Sequence, residues 1–198
     1  VDAQCRRVAD VCQKEVGDDF EIVLVNDGSS DETWAKITAA AEKSGQVTAV
    51  NLSRNFGHQS ALTAGLLIAR GDYILVIDAD LQDPPELLGE MMAKMQVGAD
   101  VVYGQRAGDA TWRKMAAGIF YRLLTKLSDI DIPLDAGDFR MISRRVRDVL
   151  LTMPENDRYI RGMVSWIGFR QVPVIYDRDV RTAGMTSYSI KRLLAFAV

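Results

Sequence analysis

Cysteine is scarce in this 198-residue chain: only Cys5 and Cys12 occur, and both fall on one predicted helix. That is no disulfide framework, and it points to reduced thiols in a cytosolic setting. No apolar run reaches the roughly 18 residues of a membrane-span candidate, and no signal-peptide pattern is found, so this stretch is not expected to cross a membrane. Low-complexity tracts, sequence repeats and a dividing linker are missing too, which leaves one domain, or one domain with an appendage. Aromatic residues do not interleave with basic ones and no nucleic-acid-binding motif occurs, so nucleic acid is not an expected partner.

What is present is ordinary globular material, with 48% hydrophobic and 26% charged residues, in a chain long enough to bury a sizeable core. Its charge is unevenly placed. Residues 1–139 hold 13 Lys/Arg against 22 Asp/Glu, a balance of −9, whereas residues 140–198 hold 11 against 5, a balance of +6. The basic half reads either as a surface for anions or a membrane face, or as a solvated tail.

Strand-like apolar runs recur at Phe20–Val25, Val47–Leu52, Tyr73–Ile77 and Asp100–Tyr103. Helical patterns fill the gaps at Asp31–Ser44, His58–Arg70 and Pro85–Gln96, with Asp31 as an N-cap and Gly45 and Gly71 as stops. Alternating strand and helix predicts an α/β fold, a Rossmann-like and mostly parallel sheet flanked by helices. The chain opens on a helix, Val1–Val16, with no strand ahead of it, so an N-terminal strand is expected to be missing. Later come a helix over Thr111–Ser128, a loop over Asp129–Asp138 and a short strand at Phe139–Ile142. Helices at Ser143–Leu151 and Arg158–Trp166, a strand at Gln171–Tyr176 and an amphipathic helix at Tyr188–Val198 follow.

Chemistry concentrates where strands end. Asp27 follows the first strand, beside Gly28, and an acid there can accept from a nucleobase N–H or a ribose hydroxyl; as structure alone, the segment is a turn and a helix cap. Asp78-Ala79-Asp80, with Gln82, Asp83 and then Pro84-Pro85, ends another strand. Ligands of open α/β sheets sit outside the carboxyl ends of the strands. Two carboxylates held there repel each other or share a cation, and Mg²⁺ favours one or two carboxylates together with substrate phosphates. His58 reads as a helix-start residue, and Trp34, Trp112 and Trp166 as core or interface residues, with an interfacial anchor open for Trp112.

These stretches carry a resemblance. VNDGSSDET (25–33), LSRNFGHQSALTAGL (52–66), GDYILVIDADLQDPPE (71–86), DVVYGQR (100–106), DAGDFRMISRRV (135–146) and RYIRGMVSWIGFRQVPVIYDRDVRTAG (158–184) resemble the family 2 glycosyltransferases of the GT-A fold. More narrowly they are similar to the polyprenyl-phosphate enzymes, the bactoprenol glucosyltransferase and dolichyl-phosphate mannosyltransferase type. The resemblance implies a catalytic domain over 1–184 and a membrane-interfacial helix over 185–198, ahead of transmembrane segments beyond this chain. It implies inverting transfer of a sugar from a nucleoside diphosphate sugar, UDP-glucose favoured, to undecaprenyl phosphate at the cytoplasmic face of the cell membrane. Mg²⁺ or Mn²⁺ is the implied cofactor, the membrane surface an implied partner, and room is left for a homo-oligomer.

Roles follow by position. Asp27 resembles the nucleotide-base contact, Asp78 and Asp80 the metal pair, and Gln82 a neighbour of the metal and diphosphate. Arg106 and Arg113 resemble arginines that meet phosphate, Arg181 the arginine that closes over substrate, and Asp138 an acceptor-side acid that acts as base, orienter or structural residue. Arg140, Arg144, Arg145 and Arg147 face either the membrane or lipid phosphate, or solvent. Two features depart from the family pattern: Met185 and Ser187 stand where a Glu and a Lys are usual, and the first-strand motif is absent. A saccharide acceptor, or an inactive nucleotide-sugar-binding domain, are the alternatives.

Overall fold

The computed structural model describes residues 1–107 and 136–177. The expected helices at Thr111–Ser128 and Tyr188–Val198, with Trp112, Arg113, Arg181, Met185 and Ser187, lie outside the described residues.

Helix α1 (Asp2–Val16) leads through a turn at Gly17 into strand β1 (Ile22–Asn26). Then come α2 (Thr33–Lys43), β2 (Val47–Asn51), α3 (His58–Ile68) and β3 (Tyr73–Val76). A 3₁₀ turn at Pro85–Leu87 runs into α4 (Leu88–Gln96), with proline in the first turn, where its missing N–H costs nothing. Beyond it lie β4 (Val101–Arg106), β5 (Ala136–Ser143), α5 (Arg144–Thr152), α6 (Ile160–Trp166) and β6 (Gln171–Tyr176). Ser143 caps α5, its hydroxyl accepting from the Val146 amide. The Asp31 carboxylate accepts from the Thr33 amide at 3.0 Å, so it ties down the first turn of α2 from one residue ahead of the cap, which is Glu32 rather than the expected Asp31.

The sheet is more mixed than strand–helix alternation suggests. β1 pairs with β2 in parallel, while the second sheet has the order β3-β5-β4-β6. β4 and β6 run parallel, but β5 enters antiparallel between β3 and β4. Asp138, placed by the sequence reading in a loop, therefore belongs to a strand that begins at Ala136. Its pairing to β4 shifts register between Tyr103 and Gln105, the local irregularity that re-aims side chains.

Alternation along β5 separates two cores. Phe139 and Met141 face α4, packing with Val102, Val174, Met91 and Met95. Ile142 faces the other way, with Val101, Leu66, Val146, Leu150 and Val164. Asp138 and Arg140 share the parity of Ile142 and so belong to the α3, α5 and α6 side. Among the described residues β1 pairs only with β2 and β3 only with β5, so each has an open edge. Both strands line one cavity of about 2660 Å³, which Val1, Gln4 and Cys5 of the α1 end also line. Cys5 and Cys12 are unpaired, and burial pushes both thiols above their usual pKa, so they stay protonated.

Candidate active site

The site assembles at the carboxyl ends of β1 and β3 and along β5. At the end of β1, Gly28 has φ 65°, and a Cβ there would lie 2.3 Å from the carbonyl carbon of Arg54. Only glycine allows the Arg54–Gly57 loop to come this close. Asp27 anchors that loop. Its two carboxylate oxygens accept from the amides of Phe56 at 2.7 Å and Gly57 at 3.0 Å. A carboxylate offers about four lone-pair positions, so Asp27 keeps capacity for a ligand while it shapes the start of α3.

At the end of β3, Asp80 accepts from the Gln82 amide at 3.1 Å, and Leu81 between them is the one non-glycine residue with positive φ, 66°, among the described residues. A left-handed leucine costs on the order of 1–3 kcal/mol and persists only where the surroundings demand it. Burial raises the pKa of Asp78; the nearby negative charges of Asp83, Asp80 and Asp138 raise it further, against a lowering by His58. Negative charge is thus crowded at this strand end, the situation a cation relieves. Among the described residues no cluster of three or more His, Cys, Asp or Glu makes a ready metal cage. Two carboxylates still fit a divalent cation that arrives with a diphosphate, since phosphate oxygens and water complete its shell.

Asp138 is the centre of the other half. His58 Nε2 lies 3.1 Å from its Oδ2, and Arg161 and Arg140 stand 3.6 and 3.9 Å from its Oδ1. Burial would raise the Asp138 pKa, but the His58 hydrogen bond and the charges of Arg161 and Arg140 outweigh it, and the carboxyl is held below its usual range. The same bond, reinforced by Asp78, lifts the His58 pKa. Arg140 is buried, and desolvation lowers its pKa to about 10. Among the described residues, the Nε atoms of Arg106, Arg140 and Arg161 and the Oδ1 of Asp138 are buried without a hydrogen-bond partner. Such groups call for a ligand or a functional explanation. The charge of Arg106, at the end of β4, lowers the Tyr176 pKa against burial, and its guanidinium approaches Gly137.

Of the residues singled out from sequence, the structure brings Asp78 and Asp138 together around His58 and keeps Asp80 and Gln82 in one turn. Sequence reasoning missed two participants. His58 was read as a helix-start residue, and it is the first residue of α3, but its imidazole also joins Asp78 and Asp138. Arg161 gave no signal beyond its place in a basic half. Arg144, Arg145 and Arg147, by contrast, are engaged within the fold: Arg144 with Asp72 and the Arg70 carbonyl, Arg145 over the Phe169 ring at 4.5 Å, and Arg147 with Asp148 and the Ala69 carbonyl. Trp166, expected in a core or interface, is 64% exposed.

This combination, a mixed α/β sheet with carboxylates gathered at strand ends, is that of a GT-A glycosyltransferase domain. Residues 5–151 match Glycosyl transferase family 2, and the chain belongs to that family. It is 45% identical over 93% of its length to an uncharacterized glycosyltransferase of Bacillus subtilis, YkcC, of which it covers 59%. It is 40% identical over 86% of its length to a prophage bactoprenol glucosyl transferase homolog of Escherichia coli, covering 57% of that protein. The chain thus spans well under two thirds of these relatives. Among solved structures it is similar to glucosyl-3-phosphoglycerate synthase of Mycobacterium tuberculosis in complex with Mn²⁺, UDP and glucosyl-3-phosphoglycerate (TM-score 0.61, 19% identity, 98% of this chain and 71% of the other). It is also similar to a mannosyltransferase of Pyrobaculum calidifontis in complex with GDP-Man and Mn²⁺ (TM-score 0.60, 18% identity, 87% and 51%).

Proposed function

We propose that the protein transfers a hexose, with inversion, from a nucleoside diphosphate sugar, UDP-glucose first, to the phosphate of undecaprenyl or a similar polyprenyl phosphate at the cytoplasmic membrane face. The relatives named as bactoprenol glucosyl transferases, 38–40% identical over 86% of the chain, support the acceptor class. The observation that carries the reading is the state of Asp138. Gripped by His58 and two arginines, it is an anion with little appetite for a proton. A sugar hydroxyl needs a base, whereas a phosphate monoester, with a second pKa near 6, is already largely ionised at neutral pH.

Residues then divide the work. Asp27 and the loop it anchors hold the nucleotide. Asp78 and Asp80 hold a divalent cation, Mg²⁺ or Mn²⁺, with Gln82 beside them. When bound, that cation offsets the charge gathering on the leaving diphosphate. Arg106 meets phosphate, and Arg140 and Arg161 keep the acceptor half cationic enough to admit a second anion beside the first. The roles of Arg113 over phosphate and Arg181 in closing over substrate complete the proposal, as does a C-terminal interfacial helix over 185–198. No described helix is long and apolar enough to cross a membrane; C-terminal transmembrane segments are the proposed anchor.

The test is transfer by the full-length protein in detergent with UDP-glucose, a divalent cation and undecaprenyl phosphate. Asp80→Ala is expected to cut turnover at least about 100-fold. Full activity in Asp80→Ala, or transfer to saccharides and none to polyprenyl phosphates, would sink the reading.

A further inference from the structure

The donor side and the acceptor side of this site are joined by one residue that neither half requires by itself. Among the described residues, His58 makes the only hydrogen bond to the Asp138 carboxylate, at 3.1 Å on Oδ2. The arginines stand off at 3.6 and 3.9 Å, and Oδ1 has no hydrogen-bond partner. The same imidazole nitrogen lies 3.9 Å from Oδ1 of Asp78. Its backbone is set from a third strand end, because Asp27 accepts from the amides of Phe56 and Gly57, and Gly57, with φ 93°, turns directly into His58. The His58 side chain is 53% exposed and that of Asp138 only 14%. The histidine is therefore not a core residue kept for packing.

We propose that His58 is a positioning residue that holds the Asp138 carboxylate toward the acceptor and ties its placement to the occupied donor side through Asp27 and Asp78. This rests on the transferase reading above. Without His58, Asp138 keeps two cations near Oδ1 and loses the bond that fixes Oδ2. The carboxylate is then free to turn onto Arg161 and Arg140 and to quench the cations an anionic acceptor meets. Misplacement of this kind costs rate more than it costs donor affinity.

The experiment compares His58→Ala and His58→Gln with wild type in full-length protein. For His58→Ala we expect kcat for transfer to undecaprenyl phosphate to fall about 10- to 100-fold. The fall in transfer should exceed any fall in slow donor hydrolysis without lipid. His58→Gln keeps an N–H donor at similar reach and should recover most of the loss. A His58→Ala transfer rate equal to wild type overturns the inference, and so does an equal fall in hydrolysis and transfer. A second measurement is independent of the acceptor. A crystal structure of His58→Ala should show the Asp138 carboxylate turned onto Arg161 and Arg140; a carboxylate that stays in place overturns the inference even if the lipid reading stands. Wild-type protein that ignores polyprenyl phosphate overturns the lipid reading, and the orientation of Asp138 in His58→Ala then decides the positioning role by itself.

Discussion

Tyr176 donates its hydroxyl hydrogen to Oδ1 of Asp83 at 2.8 Å, joining the end of β6 to the turn that follows β3. Asp83 is 2% exposed, and the Tyr176 ring packs edge-on against Phe139 with centroids 5.4 Å apart. The third carboxylate of the Asp-Ala-Asp-Leu-Gln-Asp stretch is thus committed to the fold. It pins the turn bearing Asp80 and Gln82 to the sheet.

Tyr176→Phe should destabilise the domain by about 1–3 kcal/mol, because a buried carboxylate loses a donor. Burial first, and then the bond to Asp83, push the tyrosine pKa up to about 12. A folded pKa above the unfolded value, near 10, gives stability that is present below pH 10 and lost as pH rises toward 12. The margin of wild type over Tyr176→Phe in denaturant unfolding should therefore shrink across that window. A margin that grows with alkalinity contradicts the assignment.

Gly28→Ala forces a side chain onto the Arg54–Asn55 backbone, at 2.3–2.4 Å, from a positive φ. Backbone cannot step aside as a side-chain tip can. We expect a loss of about 2 kcal/mol or more in stability, together with weaker nucleotide binding by calorimetry, since the loop that seats His58 moves. Unchanged stability and affinity would show that the close approach is relaxed in solution.

Under the phosphate role proposed for Arg106, Arg106→Lys keeps a positive charge but loses the guanidinium fork that matches a phosphate. Affinity for UDP and for phosphate-bearing acceptor should fall about tenfold while affinity for uridine changes little. Equal losses for nucleoside and nucleotide would remove Arg106 from the phosphate site.

Hydrogen exchange should rank the strands. β5 and β4, each paired on both sides, are expected to exchange slowest, and the open edges of β1 and β3 faster. Edge strands that exchange as slowly as β4 and β5 would contradict this ranking.

Much of the fold was legible because its signals are local. Apolar runs ending in Asp27 and Asp78 marked β1 and β3, proline pairs and glycines marked the boundaries, and all three early strand–helix units sit within a few residues of where periodicity put them. The antiparallel course of β5 was not legible. A strand's direction is decided by its partners, and the residues flanking Phe139–Ile142 read as a loop because Ala136, Gly137 and Asp138 have little strand propensity.

The sequence by itself determined the family, the α/β alternation and the carboxylate pair at the end of β3, since each is written in contiguous residues whose spacing the backbone must obey. Tertiary structure alone decided which distant groups share one electrostatic neighbourhood. His58 and Asp138, 80 residues apart, touch because β5 threads back between β3 and β4. Asp83 turns inward rather than toward a ligand because Tyr176 waits for it across 93 residues. Contact energies of charged and hydrogen-bonding groups fall off over a few ångströms, and no local pattern in the chain records distances set by folding.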